Sequence, residues 1–159
     1  MSRRRQLIEE VAVAMRALQR AVDAYDELVA ARLGIGRSDL RCLDLLHEGG
    51  TMSAGQLAAG SGLTSGATTR MLDRLEQVGY IRRLPDRGDR RRVLVELTPR
   101  ARRLATEFYG SFGAAAAGLS RYQPDQLTLL RDFLDGGRSS YERQAAQLQA
   151  TEKRSAKAK

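Results

Sequence analysis

A mainly α chain carrying one small β-hairpin is the fold class that the sequence predicts, and three observations predict it. Apolar residues recur at three- and four-residue spacings through most of the chain, the repeat of helices that pack along one face. That repeat breaks once, between residues 80 and 97, into two short β-rich runs around a charged tip. Aromatic residues are 5% of the 159 and Trp is absent, so Leu, Val and Ala must supply most of a core drawn from the 42% that are apolar. Such a composition favours helices. The length has room for one domain of ordinary size, so residues 1–159 are expected to form a single domain.

Taken in order, Val11, Met15, Leu18, Val22, Tyr25 and Val29 mark a long first helix over residues 7–33, ended by Gly34 and Gly36. Ser38 is expected to cap a shorter second helix with the stripe Leu40, Leu43 and Leu46, stopped by Gly49-Gly50. Ser53 followed by Gln56 is a capping box, so a third helix should run from Ser53 to Ala59 and stop at Gly60-Ser61-Gly62. Thr64 caps a fourth, running to Gly79. Tyr80–Leu84 and Arg92–Leu97 then form the hairpin around Pro85–Arg90. Thr98-Pro99, a cap followed by Pro at the first helical position, opens a fifth helix with Leu104, Phe108 and Phe112 on one face through an Ala-rich end. After a turn near Ser120–Pro124, the stripe Leu127, Leu130, Leu134, Tyr141, Ala145 and Leu148 keeps helical phase across Gly136-Gly137, which predicts one helix with a weak point. Residues 151–159 lack apolar anchors and are expected to be a basic disordered tail.

Charge and chemistry narrow the function. Lys and Arg number 27 against 19 Asp and Glu, a net charge of +8 that suits a polyanionic partner, either nucleic acid or an acidic membrane surface. One cysteine, Cys42, and one histidine, His47, exclude an intrachain disulfide, a thiolate zinc cluster and a His-rich metal site, so neither metal nor cofactor is expected. Five positions apart on a helix, Cys42 and His47 point about 140° apart, so no nucleophile and base meet. Adjacent Glu9 and Glu10 cannot face each other, and no glycine loop has phosphate-binding spacing. The chain therefore reads as no enzyme. Basic Arg3-Arg4-Arg5 is followed by an amphipathic pattern broken by Glu9, Glu10 and Arg16, so neither a signal peptide nor a spanning segment can be drawn, and a cytoplasmic location is expected. The arginines concentrate on the hairpin and not on an amphipathic helix with an inserting face, which argues against a membrane partner.

Between residues 38 and 98 the order helix, helix, short turn, helix, hairpin is that of a winged helix-turn-helix, whose second paired helix enters the DNA major groove. On residues 64–79, Met71, Leu72, Leu75 and Val78 take one side with Thr68; Gly66, Thr69, Arg70, Asp73, Arg74 and Gln77 take the other. Small residues at Thr64-Ser65-Gly66-Ala67 allow close approach to the bases, and free N–H groups there favour a phosphate. Arg70 is then placed to read a guanine edge. Periodicity alone leaves open that this polar side merely faces water. The hairpin shifts the balance, because Arg82, Arg83, Arg87, Arg90, Arg91 and Arg92 against Asp86 and Asp89 give it a net charge of +4 over residues 82–92. Arginine fits a narrow minor groove and its phosphates, although a charged tip also serves as a solubilising loop. Asp89, two residues from Arg91, is placed to hold that guanidinium extended.

Leu57-Ala58 leading to Gly62-Leu63-Thr64, then Thr69–Glu76 and Gly79-Tyr80, and above all Asp89-Arg90-Arg91-Arg92-Val93-Leu94-Val95-Glu96-Leu97-Thr98, resemble the multiple antibiotic resistance regulator (MarR) family over residues 7–150. The resemblance implies a winged helix-turn-helix flanked by N- and C-terminal dimerisation helices, residues 7–33 and 99–150, in a homodimer on a pseudo-palindromic operator in double-stranded DNA. It implies that Arg91 enters the minor groove with Asp89 supporting it. It also implies repression relieved by a small amphipathic or phenolic effector. The residues expected at DNA are Ser53, Thr64, Ser65, Gly66, Thr69, Arg70, Arg74, Arg87, Asp89, Arg90 and Arg91. Tyr25, Leu28, His47 and Phe108 are candidate effector contacts that read equally as core. Peroxide-sensing members carry a cysteine near the start of the first helix, and residues 1–30 hold none; Cys42 reads as a small buried hydrophobe. Thr68 stands where the family more often has an aliphatic residue, and its hydroxyl is expected to bond back to the preceding turn. The alternative function is a sequence-independent, nucleoid-like DNA-binding protein.

Overall fold

The computed structural model describes residues 2–86, 88–89, 92–110 and 118–157. The chain divides into two compact units, Met1–Gly110 and Ser111–Lys159.

The first unit begins with α1, Arg3–Leu33, whose N-cap Ser2 accepts from the Arg5 N–H at 3.4 Å. It ends at Gly34 in the left-handed region, φ 67°, a conformation glycine adopts without a Cβ clash. Helix α2, Arg37–Gly49, starts two residues earlier than expected. Ser38 is not its cap: extended Gly36 precedes it, and the Gly36 N–H donates to the Asp39 carboxylate at 3.2 Å. The acid three residues on supplies what a capping hydroxyl would, leaving Ser38 exposed inside the first turn. Strand β1, Met52–Ser53, follows, and sequence patterning did not anticipate it. Helix α3, Ala54–Ser61, carries the expected box, with the Ser53 Oγ accepting from the Gln56 N–H at 3.3 Å and Gln56 Oε1 accepting from the Ser53 N–H at 2.8 Å. Helix α4, Ser65–Gln77, is capped by Thr64, which accepts from the Ala67 N–H at 3.3 Å.

At Gly79, φ 77°, the chain reverses into the hairpin, and the Tyr80 N–H reaches back to the Leu75 carbonyl at 2.9 Å. Strands β2, Ile81–Pro85, and β3, Val93–Leu97, pair antiparallel from Ile81 with Leu97 to Pro85 with Val93. β1 joins the other edge of β3, Met52 opposite Val95, so the sheet order is β1-β3-β2. Alternation along β3 sets Val93, Val95 and Leu97 on one face, where Val95 and Leu97 are buried and Val93, at the end nearest the hairpin tip, is exposed. Thr98 then caps α5, Pro99–Tyr109, as expected, accepting from the Ala101 N–H at 3.2 Å while donating to the Gly79 carbonyl at 2.8 Å. One hydroxyl thus pins the start of α5 to the end of α4. Phe112 and the alanines after it, expected to prolong this helix, lie outside the described residues.

Leu46, Leu57, Met71, Leu72, Leu75, Ile81 and Val95, drawn from α2, α3, α4 and the sheet, form one core with Tyr80, Leu97 and Ala101. Val29 and Ala30 of α1 with Leu40 make a smaller cluster, against which Phe108 packs.

In the second unit α6, Pro124–Lys157, is a single helix that passes through Gly136-Gly137 as the apolar phase required. It also continues beyond residue 151, which corrects the expected disordered tail. No Gly or Pro follows Gly137, and the Ala, Lys, Arg and Glu of that stretch propagate a helix already formed.

Candidate nucleic-acid interface

Helix α4 turns Thr68, Met71, Leu72 and Leu75 into the core, and the Thr68 hydroxyl donates to the Thr64 carbonyl at 3.0 Å, the expected bond to the preceding turn. Its opposite side is exposed and begins with Ser65, Gly66, Thr69 and Arg70. Thr69 donates its hydroxyl to the Ser65 carbonyl at 3.1 Å. Thr64, a candidate DNA contact, is exposed at the cap. Ser53, also expected at DNA, is 8% exposed, and its hydroxyl is engaged both with the Gln56 N–H and with Gln56 Oε1 at 2.9 Å. The residue is built into the start of α3.

The charges on α4 fall into two groups. Arg74 donates from Nη2 to Asp39 Oδ1 of α2 at 2.7 Å, which raises the guanidinium above its usual range through that hydrogen bond and the carboxylate charge. Asp73 accepts from Arg83 of β2 at 2.6 Å and Glu76 accepts from the same guanidinium; the hydrogen bond to Asp73 is the largest cause of the rise in Arg83. Arg70 has no ion-pair partner among the described residues. The positive charge that α4 presents unshared is therefore Arg70.

In the hairpin, Arg82 pairs across the strands with Glu96, and Arg92 lies 3.9 Å from Asp86. Asp86 also accepts from the Gly88 N–H at 2.8 Å, and the Arg92 N–H donates to the Asp89 carbonyl at 2.9 Å, so the neck of the tip is a hydrogen-bonded turn. Arg87, Arg90 and Arg91 lie outside the described residues, and with them the Asp89 to Arg91 contact. Below the hairpin Arg100 stacks over the Tyr80 ring, 5.0 Å from its centroid, and donates to the Val78 carbonyl at 2.9 Å. Asp39 was not singled out from sequence, and Arg83 and Asp86 entered only as part of the hairpin's net charge, without these partners. Asp39 and Arg83 have partners far along the chain, whereas Asp86, two residues before Gly88, carries an Asx-turn signal that could have found it.

Of the candidate effector contacts, Tyr25 donates its hydroxyl to the Phe108 carbonyl and meets Tyr109 edge to face at 5.8 Å. Tyr109 donates to Asp26 at 2.8 Å, and Asp26 pairs with Arg37 at 3.0 Å, so α1, α2 and α5 share one polar network. Leu28 is 70% exposed and His47 is exposed at the last turn of α2. A cleft of about 280 Å³ is lined by Asp26, Arg37, Ser38, Leu40, Arg41, Asp44 and Ser61, and by none of those four candidates. Asp44 there has its carboxyl raised, by burial first and by the charge of Glu48 second. Cys42 is fully buried, and its thiol is pushed up to about 12 by burial and by the Asp39 charge. Among the described residues no group of His, Cys, Asp and Glu is placed to hold a metal ion, and no helix is long and apolar enough to cross a membrane.

The MarR family profile matches residues 35–93, from the linker before α2 to the start of β3. The HTH-type transcriptional regulator YcgE of Bacillus subtilis is 32% identical over 129 residues, which is 80% of this chain and 84% of that protein. The solved structure of RV1404 from Mycobacterium tuberculosis aligns at TM-score 0.59 and 28% identity, over 78% of this chain and 88% of that one. That of NadR in complex with 4-hydroxyphenylacetate aligns at 0.58 and 25%, over 78% of this chain and 89% of that one. The helix pair, the hairpin beside it and a likeness that extends past both into the flanking helices lead to one assignment: the chain belongs to the MarR family of winged-helix, DNA-binding transcriptional regulators.

Proposed function

We propose that the protein is a ligand-responsive repressor that binds a pseudo-palindromic operator as a homodimer, with α4 in the major groove and the hairpin tip along the minor groove. The observation that carries the DNA reading is the unshared charge of Arg70 on the exposed side of α4, set above a helix start whose Ser65 and Gly66 are small and open. The dimer is supported by exposed apolar residues along α1, among them Leu7, Val11, Leu18 and Val22, and along α6, among them Leu127, Leu134, Tyr141 and Leu148. Two recognition helices in such a dimer must lie about 34–36 Å apart to enter successive major grooves on one side of B-DNA. Small rotations at Gly34-Ile35-Gly36 or at Thr98-Pro99 change that spacing without touching a DNA contact. A phenolic acid like the one bound in NadR is the effector class we assign, acting near Tyr25 and Phe108, where α1 meets α5.

Selection of binding sites from random DNA supplies the operator and its symmetry. On that operator Arg70→Ala should cost about 1–3 kcal/mol per half-site with little effect on random duplex. Arg91→Ala should weaken both and flatten the salt dependence. Equal loss on both duplexes for Arg70→Ala, or equal affinity of the native protein for both, would replace this reading with that of a sequence-independent DNA binder, which the net charge of +8 also suits. Titration of the bound operator with 4-hydroxyphenylacetate tests the effector: reciprocity requires weaker binding of the acid when DNA is present.

A further inference from the structure

Asp39 is 4% exposed, yet it lies against a guanidinium whose side chain is 57% exposed, so the ion pair straddles the protein surface with its carboxylate inside. A buried carboxylate is tolerated when its oxygens are partnered, and here the two oxygens have different partners. Oδ2 accepts from the Gly36 N–H at 3.2 Å and belongs to the start of α2. Oδ1 accepts from Arg74 Nη2 at 2.7 Å and belongs to α4, 35 residues later.

The rest of what holds α4 against α2 is apolar. Met71, Leu72 and Leu75 give a large burial term, but such burial is non-directional and tolerates small rotations of a helix about its axis. A hydrogen bond of 2.7 Å to a buried anchor does not tolerate them. Arg74 lies one turn beyond Arg70 on the same face, so a rotation that breaks the first contact also swings the second. The carboxylate further offsets the Arg74 charge, which otherwise repels Arg70 across one turn. Base readout requires donors held to within about 0.5 Å and 10–20°. From these observations, and resting on the reading of α4 as the base-reading helix, we propose that Asp39 is a positioning residue for operator recognition, acting through Arg74 to fix the angle at which α4 presents Arg70.

The experiment compares affinities for the selected operator and a random duplex and reads their ratio, with thermal melting recorded on every variant. Asp39→Ala removes both partners, so a second variant separates them. Gly36 is extended at φ −84° and ψ 165°, and a Cβ there meets only the Asp39 Oδ2, at 3.7 Å. Gly36→Ser combined with Asp39→Ala therefore returns a capping oxygen to α2 without returning an anchor to Arg74. The operator-to-random ratio should fall about tenfold in Asp39→Ala, in Gly36→Ser/Asp39→Ala and in Arg74→Ala, the size of one lost charge-assisted bond. The double variant Asp39→Ala/Arg74→Ala should fall no further than Arg74→Ala alone. Recovery of the native ratio by Gly36→Ser would show that Asp39 only caps α2, and multiplicative losses in the double variant would show that it acts apart from Arg74; either result overturns the proposal. Arg70→Ala is the control on the underlying reading. If that change leaves the ratio untouched, base reading by α4 falls and the proposal with it, whereas a lowered ratio in Arg70→Ala beside a native one in Asp39→Ala removes the proposal alone.

Discussion

Within Met1–Gly110, the winged module and helix α1 place their apolar side chains in opposite ways. In the module, Leu46, Leu57, Met71, Leu72, Leu75 and Val95 are all removed from water by neighbours in the same chain. Along α1, Leu7, Ile8, Val11, Val13, Leu18 and Val22 are exposed, and only Val29 and Ala30 are buried. Helix α6 in the other unit resembles α1, with Leu127, Leu129, Phe133, Leu134, Tyr141 and Leu148 open. The module thus buries its apolar residues by itself, and the long helices leave theirs exposed in the single chain, the surface that the proposed dimer would cover. Stability of the first kind is independent of concentration and that of the second is not.

The sharpest way to break this contrast is to damage each region once. Leu46→Ala empties a site with no solvent exposure and should cost about 2–5 kcal/mol, read as a lowered melting temperature of the module that is the same at every protein concentration. Val11→Asp combined with Leu18→Asp should leave the module's melting little changed and convert a sedimenting dimer to monomer at micromolar protein. If the charged pair leaves the sedimentation coefficient of the dimer intact, the exposed row on α1 is not a subunit seam.

A second test uses the module's buried thiol. Cys42 loses its proton near 9.0 when unfolded and near 12 when folded, so between those values the unfolded chain has released a proton that the folded chain keeps. Stability is therefore complete below pH 9 and declines as pH rises toward 12, by an amount on the order of a few kcal/mol at 1.36 kcal/mol per unit. Tyr109, raised by burial above its ordinary 10.0, adds a loss of the same sign. The thiol's share is the difference in slope between native protein and Cys42→Ala across pH 9–12 in denaturant titrations. A slope unchanged by Cys42→Ala, or rapid thiol labelling at neutral pH, would mean that this part of the core opens.

What could be read in advance follows the range of the interactions. The Ser53–Gln56 box, the Thr64 cap, the Thr98-Pro99 start and the turn at Gly79 are settled within four residues, and all appear where the sequence places them. Phase continuity across Gly136-Gly137 is likewise a property of the helix itself. Strand β1 is two residues long, too short for any alternation, and exists because Met52 lies opposite Val95. The start of α2 was misplaced because Ser38 has a cap's chemistry, and nothing local says that Asp39 takes the Gly36 N–H. At the candidate DNA surface the exposed side of α4 was legible from its period. The pairing of its charges was not, since Arg74 finds Asp39 and Arg83 finds Asp73 and Glu76 only after the helices and hairpin dock.

The smallest effect compares two glycines, one from each kind of region. In α3, a Cβ at Gly60 would lie 3.1 Å from Leu45 Cδ1, so a methyl must push aside a side chain that packs on the module's core. In α6, a Cβ at Gly136 meets nothing within 4 Å. Glycine inside a helix costs roughly 0.5–1 kcal/mol relative to alanine, mostly by the entropy it loses on folding. Gly136→Ala should recover that amount as a raised melting temperature, while Gly60→Ala, near the end of its helix and crowded by Leu45, should gain less or lose slightly. Melting is best followed over a range of protein concentrations, because the proposed dimer would set a second copy against the exposed faces of the long helices. A gain for Gly136→Ala that holds at every concentration places this point of α6 away from the seam. A gain that reverses as protein concentration rises means that a second chain packs against the glycine itself, and the unsatisfied face of α6 then includes residue 136.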